Sequence, residues 1–459
     1  RSDGECVTGS LHLTPYSLIF SSTAGEEELW LNYALIHTVE RLPPTSASRF
    51  PLHIRCRDFL FLTLSLNSLR QSIDVFETIQ KVACHEDSRA WDRYAVESFM
   101  SSAWSVGKPG CPWRFTRVNT HYQVCPTYPA ILAVPAKVSD TVVSTAAKHR
   151  SKGRFPALSY LHSPNGCSIT RSSQPLVGIT QSRSVQDERL VEAIFNTAPT
   201  LSPEDNLIVD ARPTVNAVVN VAMGAGSENT DHYGGCRKLY LGIDNIHVMR
   251  ECLNRIWLRH VSSILSGTRE IVDTIHRRSG HVLVHCSDGW DRTAQLTSLA
   301  QLCLDPSART ISGLIGIVQR EWCGFGHKFT DRCGHFSHQP AAAMAAAAFT
   351  GGRLATTIRE RVGRGLHERS GYVRETAPVF TQFLDCAYQL WVQAPWSFEW
   401  DERLLRWLHA EVYSCRYGTF LGNCEEERQD RVRDRTRSAW AWLDAHRSDF
   451  THDLYNPSR

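Results

Sequence analysis

His285-Cys286-Ser287-Asp288-Gly289-Trp290-Asp291-Arg292-Thr293 sets a cysteine and an arginine six positions apart, at the ends of a segment short enough to close around a phosphate. Ahead of it, Val282-Leu283-Val284 reads as a short buried strand; behind it, Leu296, Leu299, Ala300 and Cys303 recur at one-face helical spacing. A strand that turns sharply into a helix aims backbone N–H groups and the positive end of the helix dipole at one point. That point suits a dianionic phosphate. It also suits a thiolate, whose pKa falls at a helix N-terminus and beside a cation. Arg292 adds a planar fork that holds two phosphate oxygens at once. The stretch therefore predicts cysteine-dependent phosphoryl transfer, in which Cys286 attacks phosphorus and water releases the thiophosphoryl intermediate. A lone cysteine is more often a small buried hydrophobe, and most of the other cysteines are read that way.

Two acids narrow the reading. Protein tyrosine phosphatases share only the Cys-x5-Arg frame and carry their general acid on a separate mobile loop, whereas Asp288 and Asp291 lie inside this one. Cys-Ser-Asp-Gly-Trp-Asp-Arg is the signature of the myotubularin phosphoinositide 3-phosphatases, and the chain resembles them over nearly its whole length. The likeness continues in Arg171-Ser172-Ser173-Gln174-Pro175-Leu176-Val177-Gly178, Asp210-Ala211-Arg212-Pro213 and Asn245-Ile246-His247-Val248-Met249-Arg250. It resumes in Glu321-Trp322, Phe325-Gly326-His327-Lys328-Phe329, Asp331-Arg332-Cys333-Gly334-His335, Phe383-Leu384-Asp385-Cys386 and Tyr413-Ser414-Cys415-Arg416.

The resemblance implies an α/β phosphatase domain of the Cys-x5-Arg type, preceded by a smaller, mainly-β PH-GRAM domain closed by one helix. It implies removal of the 3-phosphate from phosphatidylinositol 3-phosphate and phosphatidylinositol 3,5-bisphosphate. The alternatives are a phosphoprotein phosphatase and a catalytically dead adaptor; the adaptor reading sits poorly with Cys286 and Arg292 both present. Ser287, Asp288, Gly289, Trp290, Asp291 and Arg292 would cradle the phosphate. Asn220, Asn245 and Ile246 match positions that contact the inositol phosphate, and Lys328 and Arg332 match basic positions for other headgroup phosphates. Asp210 would support the loop. Like-charge repulsion near a bound dianion raises a carboxyl pKa, so Asp288 or Asp291 is a feasible proton donor, with Asp288 favoured. Asp291 could instead pair with Arg292 or orient water. No cofactor or metal is implied. The implied setting is cytoplasmic, peripheral on endosomal membranes, with homo- or hetero-oligomers among myotubularins as partners.

At 459 residues the chain can bury large cores and is read as two domains. A net charge of +3 gives no argument for nucleic acid. No apolar run approaches the roughly 20 residues that span a bilayer, and Arg1 at the start suggests a fragment. Fifteen irregularly spaced cysteines point to reduced thiols, not a disulfide scaffold. Cys323, His327, Cys333, His335 and His338 are too loosely spaced for a structural zinc site.

Along the chain, residues 1–90 are the PH-GRAM-like domain, with strands expected at 9–20, 28–31, 37–40, 53–57 and 59–66 and a helix at 68–82. Residues 91–112 read as a linker and 113–455 as the phosphatase domain. An alanine- and arginine-rich stretch, 339–378, reads as a low-complexity insertion. Residues 425–437 read as a solvated helix.

Overall fold

The computed structural model describes residues 7–14, 17–23, 28–45, 48–56, 60–79, 91, 96–200, 202–222, 224–251, 256–335, 375–433 and 436–456. The chain divides into two units, Arg1–Ser88 and Arg89–Arg459.

The first unit holds two antiparallel three-stranded sheets, β1 (Gly9–Leu13), β2 (Ser17–Ser22) and β3 (Glu28–Asn32), then β4 (Ile36–Arg41), β5 (Phe50–Cys56) and β6 (Phe61–Leu66). Helix Leu69–Ile79 packs on the second sheet, and Leu18, Leu31, Ile36, Leu52, Ile54 and Ile79 fill the core. The single strand expected at 9–20 is a hairpin instead. Thr14 turns the chain by accepting from the Ser17 amide at 3.0 Å and donating to the Ser17 carbonyl at 2.8 Å through its hydroxyl.

In the second unit, β7 (Trp113–Thr116) and β8 (Leu132–Pro135) form an antiparallel pair. The central sheet contains β9 (Ala157–Leu161), β10 (Ser168–Ser173), β11 (Leu207–Asp210), β12 (Arg237–Tyr240) and β13 (Val282–Cys286), in the order β12-β11-β13-β10-β9. β12, β11, β13 and β10 are parallel, and β9 runs antiparallel at the edge. β13 is buried along its whole length because it is central and covered on both faces, and its apolar run Val282-Leu283-Val284 leads into His285. Its end sets Cys286 beside Ser173 and His285 beside Asp210.

Helix Arg292–Leu304 departs from the one-face reading. Every residue from Arg292 to Leu302 is buried, while Cys303 at its end is exposed. Its polar residues are internally bonded: Thr297 donates to Glu321 at 2.8 Å and Gln295 to the Val379 carbonyl at 2.9 Å. Residues 91–112 are likewise more than a connector, since helix Val96–Ala103 and its sequel place Met100, Trp104 and Val106 in the phosphatase core. The solvated helix expected at 425–437 also packs inward. Glu425 accepts from the Ala130 amide at 2.9 Å and Tyr122 at 3.1 Å, and Arg428 is buried. Burial raises the Glu425 pKa. Most of the 339–378 insertion lies outside the described residues, but its last part belongs to the domain core: Ala377 is buried and its amide donates to the Arg332 carbonyl at 3.1 Å. Among the described residues no helix is long and apolar enough to cross a membrane.

Candidate active site

An anion-binding loop must turn its carbonyls away so that its amides face inward. The carbonyls of Cys286, Ser287, Gly289, Trp290 and Asp291 each have an identifiable partner. Ser287 O accepts from the Gln174 amide at 3.1 Å, and Asp291 O accepts from the Gln295 amide at 3.1 Å. Trp290 O lies 3.1 Å from His327 Nδ1, and Cys286 O lies 3.3 Å from His285 Nδ1. Gly289 O is held by two guanidinium groups, Arg171 Nη2 at 2.6 Å and Arg154 Nη2 at 3.1 Å. The Gly289 amide then points inward and donates to Cys286 Sγ at 3.2 Å. Glycine is required at this turn: φ is +79°, and a Cβ would stand 2.2 Å from the Ser172 carbonyl.

Arg292 opens the following helix and curls back over the loop, with Nη1 on the Ile243 carbonyl at 3.0 Å and Nη2 on Ser287 Oγ at 3.3 Å. These two contacts orient the guanidinium beside Cys286 and leave it without a carboxylate partner among the described residues.

The two loop acids have separate environments. Asp288 is partly open and meets Ser151 Oγ at 3.4 Å. Asp291 is buried between Arg332 Nη2 at 2.9 Å and His327 Nδ1 at 3.0 Å. Burial alone would raise the Asp291 pKa, but the Arg332 charge and the His327 hydrogen bond outweigh it and hold the carboxyl well below the ordinary range. Burial lowers the His327 pKa, so that ring is neutral. Asp291 is therefore an anion that fixes the loop, and it pairs with Arg332 and not with Arg292. Arg332 is also tied to Glu375 at 2.9 Å and its side chain is 3% exposed. In this structure both arms of the Arg332 guanidinium are thus engaged by carboxylates.

The Lys328 ammonium sits 5.0 Å from the centre of the Trp290 ring, with Lys152 5.3 Å from the same ring, and 3.1 Å from Asp331. Asn220 donates to Gln174 at 3.3 Å, the residue whose amide holds Ser287. Asn245 caps helix Ile246–Glu251, accepting from the His247 and Val248 amides at 3.0 and 3.1 Å. Ile246 follows directly, two residues beyond the Asp244 that adjoins the Arg292 acceptor Ile243.

Behind His285 lies a buried charged network. Glu228 lies 2.9 Å from His285 Nε2 and meets Arg150 Nη1 at 2.5 Å. Arg150 also clasps Asp187 at 2.6 and 2.8 Å. Burial opposes ionisation of Glu228, but His285 and Arg150 pull its pKa well below the ordinary range. Asp210 takes Arg212 through paired bonds of 2.6 and 2.8 Å, and the lowered Asp210 pKa, against burial, follows from His285 and Arg212.

Sequence reading missed Lys152, Arg150, Arg154 and Glu228, none of which sits in a recognisable pattern. Arg171, Glu321 and His327 fall in quoted motifs, yet no local signal gives their roles. Among the residues weighed for zinc, Cys323 Sγ contacts the Thr419 carbonyl at 3.4 Å, His335 Nε2 contacts the Val412 carbonyl at 2.6 Å, and His338 lies outside the described residues. Among the described residues no three metal-ligating side chains gather.

A family model for the myotubularin-like phosphatase domain matches residues 74–256 and 254–429, and one for the GRAM domain of MTMR6-9 matches residues 2–83. The phosphatidylinositol-3,5-bisphosphate 3-phosphatase MTMR6 of Caenorhabditis elegans is 36% identical over 99% of this chain and 68% of its own length. The enzyme named phosphatidylinositol-3,5-bisphosphate 3-phosphatase MTMR8 of Homo sapiens is 37% identical over 98% of this chain, which spans 64% of that protein. Human MTMR6, named likewise, is 33% identical over 99% of this chain and 73% of its own length. Loop signature, carbonyl-out cradle and whole-chain similarity agree: the chain belongs to the myotubularin family.

Proposed function

We propose that this chain is a phosphoinositide 3-phosphatase that removes the 3-phosphate of phosphatidylinositol 3-phosphate and phosphatidylinositol 3,5-bisphosphate. The observation that carries the reading is the inward Gly289 amide on Cys286 Sγ, in a loop whose Arg292 guanidinium meets no carboxylate among the described residues. Relatives at 33 to 37% identity bear the same activity in their names.

In the proposed reaction the Cys286 thiolate attacks phosphorus as the bond to the inositol oxygen breaks. The electron pair leaves on that oxygen, which takes a proton from Asp288. Arg292 and the loop amides stabilise the charge on the transferring phosphoryl oxygens. Water, deprotonated by the resulting Asp288 carboxylate, then attacks phosphorus and returns the Cys286 thiolate with inorganic phosphate. Asp288 suits this role because it is open to the substrate, whereas Asp291 is held ionised by Arg332 and His327. Lys328 and Lys152, both close to the Trp290 ring, supply positive charge for the remaining headgroup phosphates.

Product chromatography tests the reaction. The 3,5-bisphosphate should yield the 5-phosphate, and recovery of the 3-phosphate would refute the ring position. Cys286→Ser should lower turnover by about a thousandfold or more, because an alcohol is the weaker nucleophile at neutral pH. Wild-type phosphate release by that variant would exclude the thiolate mechanism.

A further inference from the structure

The parallel strands β10, β11, β12 and β13 all end on the side of the sheet that carries Cys286, so each crossover helix begins there. The segments on that rim share an unusual feature. Solvent-exposed first turns ordinarily carry Ser, Asp, Glu or other polar residues. Here Ser184 caps helix Val185–Phe195 and Val185 then stands 50% exposed. Val215, in the first turn of helix Thr214–Ala222, is 72% exposed, and Val248, in helix Ile246–Glu251, is 36% exposed. Leu258 opens helix Trp257–His276 at 70% exposure, and Ile179, on the loop that leaves β10, is 76% exposed. The Ile179 loop is pinned to the end of the next crossover by Gly178 N on the Ala225 carbonyl at 3.1 Å. One exposed aliphatic residue is ordinary. Their recurrence on the segments that follow β10, β11 and β12 is a patterned surface.

We infer that Ile179, Val185, Val215, Val248 and Leu258 form an apolar collar that seats the mouth of the Cys286 loop in the interfacial zone of a lipid bilayer. The inference rests on the lipid-phosphatase reading. A phosphate attached to a membrane lipid reaches a buried thiol only if the rim around the thiol approaches the membrane plane. Polar rims would hold a water layer between the two; aliphatic rims exchange that water for acyl and glycerol contacts. Exposed Arg189 and Arg259 stand within one turn of Val185 and Leu258 and suit anionic headgroups. The collar lies apart from the loop's own hydrogen bonds, so it governs access and not chemistry.

The test compares one headgroup in two physical states. The full chain is assayed on phosphatidylcholine vesicles carrying long-chain phosphatidylinositol 3-phosphate and on the water-soluble dibutanoyl form. Ile179→Ser/Val215→Ser/Leu258→Ser should lower vesicle binding and vesicle kcat/KM about tenfold or more, as lost apolar burial dictates. The soluble substrate should be turned over within about twofold of wild type, since no catalytic contact changes. A control, Val392→Ser/Leu454→Ser, removes exposed aliphatic residues elsewhere and should leave both assays unchanged. Unchanged vesicle activity in the triple variant overturns the collar. So does an equal loss on the soluble substrate, or an equal loss in the control. If wild type hydrolyses neither form, the lipid reading itself falls, and the collar with it.

Discussion

The inner face of the Cys286 loop and the structure packed behind it use arginine in opposite ways. Among the described residues Arg292 is held by a carbonyl and a hydroxyl and meets no carboxylate, so its charge is available to substrate. Arg171 and Arg154 converge on the Gly289 carbonyl from behind, while Arg150, Arg212 and Arg332 are bound to Asp187 and Glu228, to Asp210, and to Asp291 and Glu375. A loop that concentrates amides inward exposes carbonyls outward, and burying those carbonyls unpaired would destabilise the fold. Guanidinium groups meet that demand and add positive potential beneath the bound phosphate. One kind of residue thus serves chemistry in front and conformation behind, and burial with carboxylate pairing separates the two.

The contrast is sharpest in substitutions that separate activity from stability. Arg292→Ala should reduce kcat/KM by about a thousandfold or more on lipid and on a small aryl phosphate alike, as losses of transition-state arginines do. Its urea midpoint should move little, because only two neutral acceptors lose a partner. A large drop in stability with modest loss of turnover would place Arg292 with the supporting arginines instead.

Arg171→Met should behave in reverse. It leaves Glu321 buried without its cation, which costs about 3–5 kcal/mol of unfolding free energy, and it loosens Gly289. Adding Glu321→Gln should restore part of that loss, since the uncompensated charge is gone. An Arg171→Met protein with a wild-type urea midpoint would show that the ion pair behind the loop is dispensable.

Lys328 and Arg332 divide in the same manner. Lys328→Ala should depress lipid hydrolysis about ten- to a hundredfold, the worth of one charge-assisted contact, and spare the aryl phosphate. Arg332→Ala should impair both substrates in equal proportion, because it strands the Asp291 carboxylate. If Arg332→Ala affected the lipid alone, its place would be in headgroup recognition.

How far sequence could see follows from the same contrast. Cys286, Asp288, Gly289 and Arg292 act within one short stretch, so a strand, a turn and a helix start sufficed to read the loop and the parallel sheet around it. Its support comes from elsewhere in the chain: Arg154 and Arg171 reach Gly289 across more than a hundred positions, and Glu228 reaches His285 across a crossover. No periodicity records such contacts. The motif that names Arg332 does not disclose its pairing with Asp291 and Glu375. The Arg292–Leu304 helix was misjudged because a helix buried all round need not be apolar all round when Thr297 and Gln295 find internal partners.

The smallest expected effect concerns pH. Asp291, Glu228 and Asp210 have pKa values below the ordinary carboxylate range near 4. The unfolded chain therefore binds their protons first as pH falls, so their contribution to stability is whole above that range and lost below it. His281 acts earlier. It is buried where β13 begins, with Nδ1 accepting from the Ser168 amide at 3.1 Å and Nε2 facing the Ala198 carbonyl at 3.3 Å. Burial lowers its pKa from 6.5 to about 4. Between those values the unfolded chain carries the extra proton, so stability declines as pH falls from 6.5 toward 4, by about 1.4 kcal/mol per pH unit at most for one group. Burial lowers His149, His162, His327 and His335 as well, so they tilt the curve the same way. His281→Asn retains an acceptor for the Ser168 amide and removes one titrating group. The urea midpoint of this variant should fall less steeply across that window while the steep loss below pH 4 persists. Identical slopes in variant and wild type would mean that His281 takes up its proton as readily in the folded chain as in the unfolded one, and that the root of β13 is wetter than its packing implies.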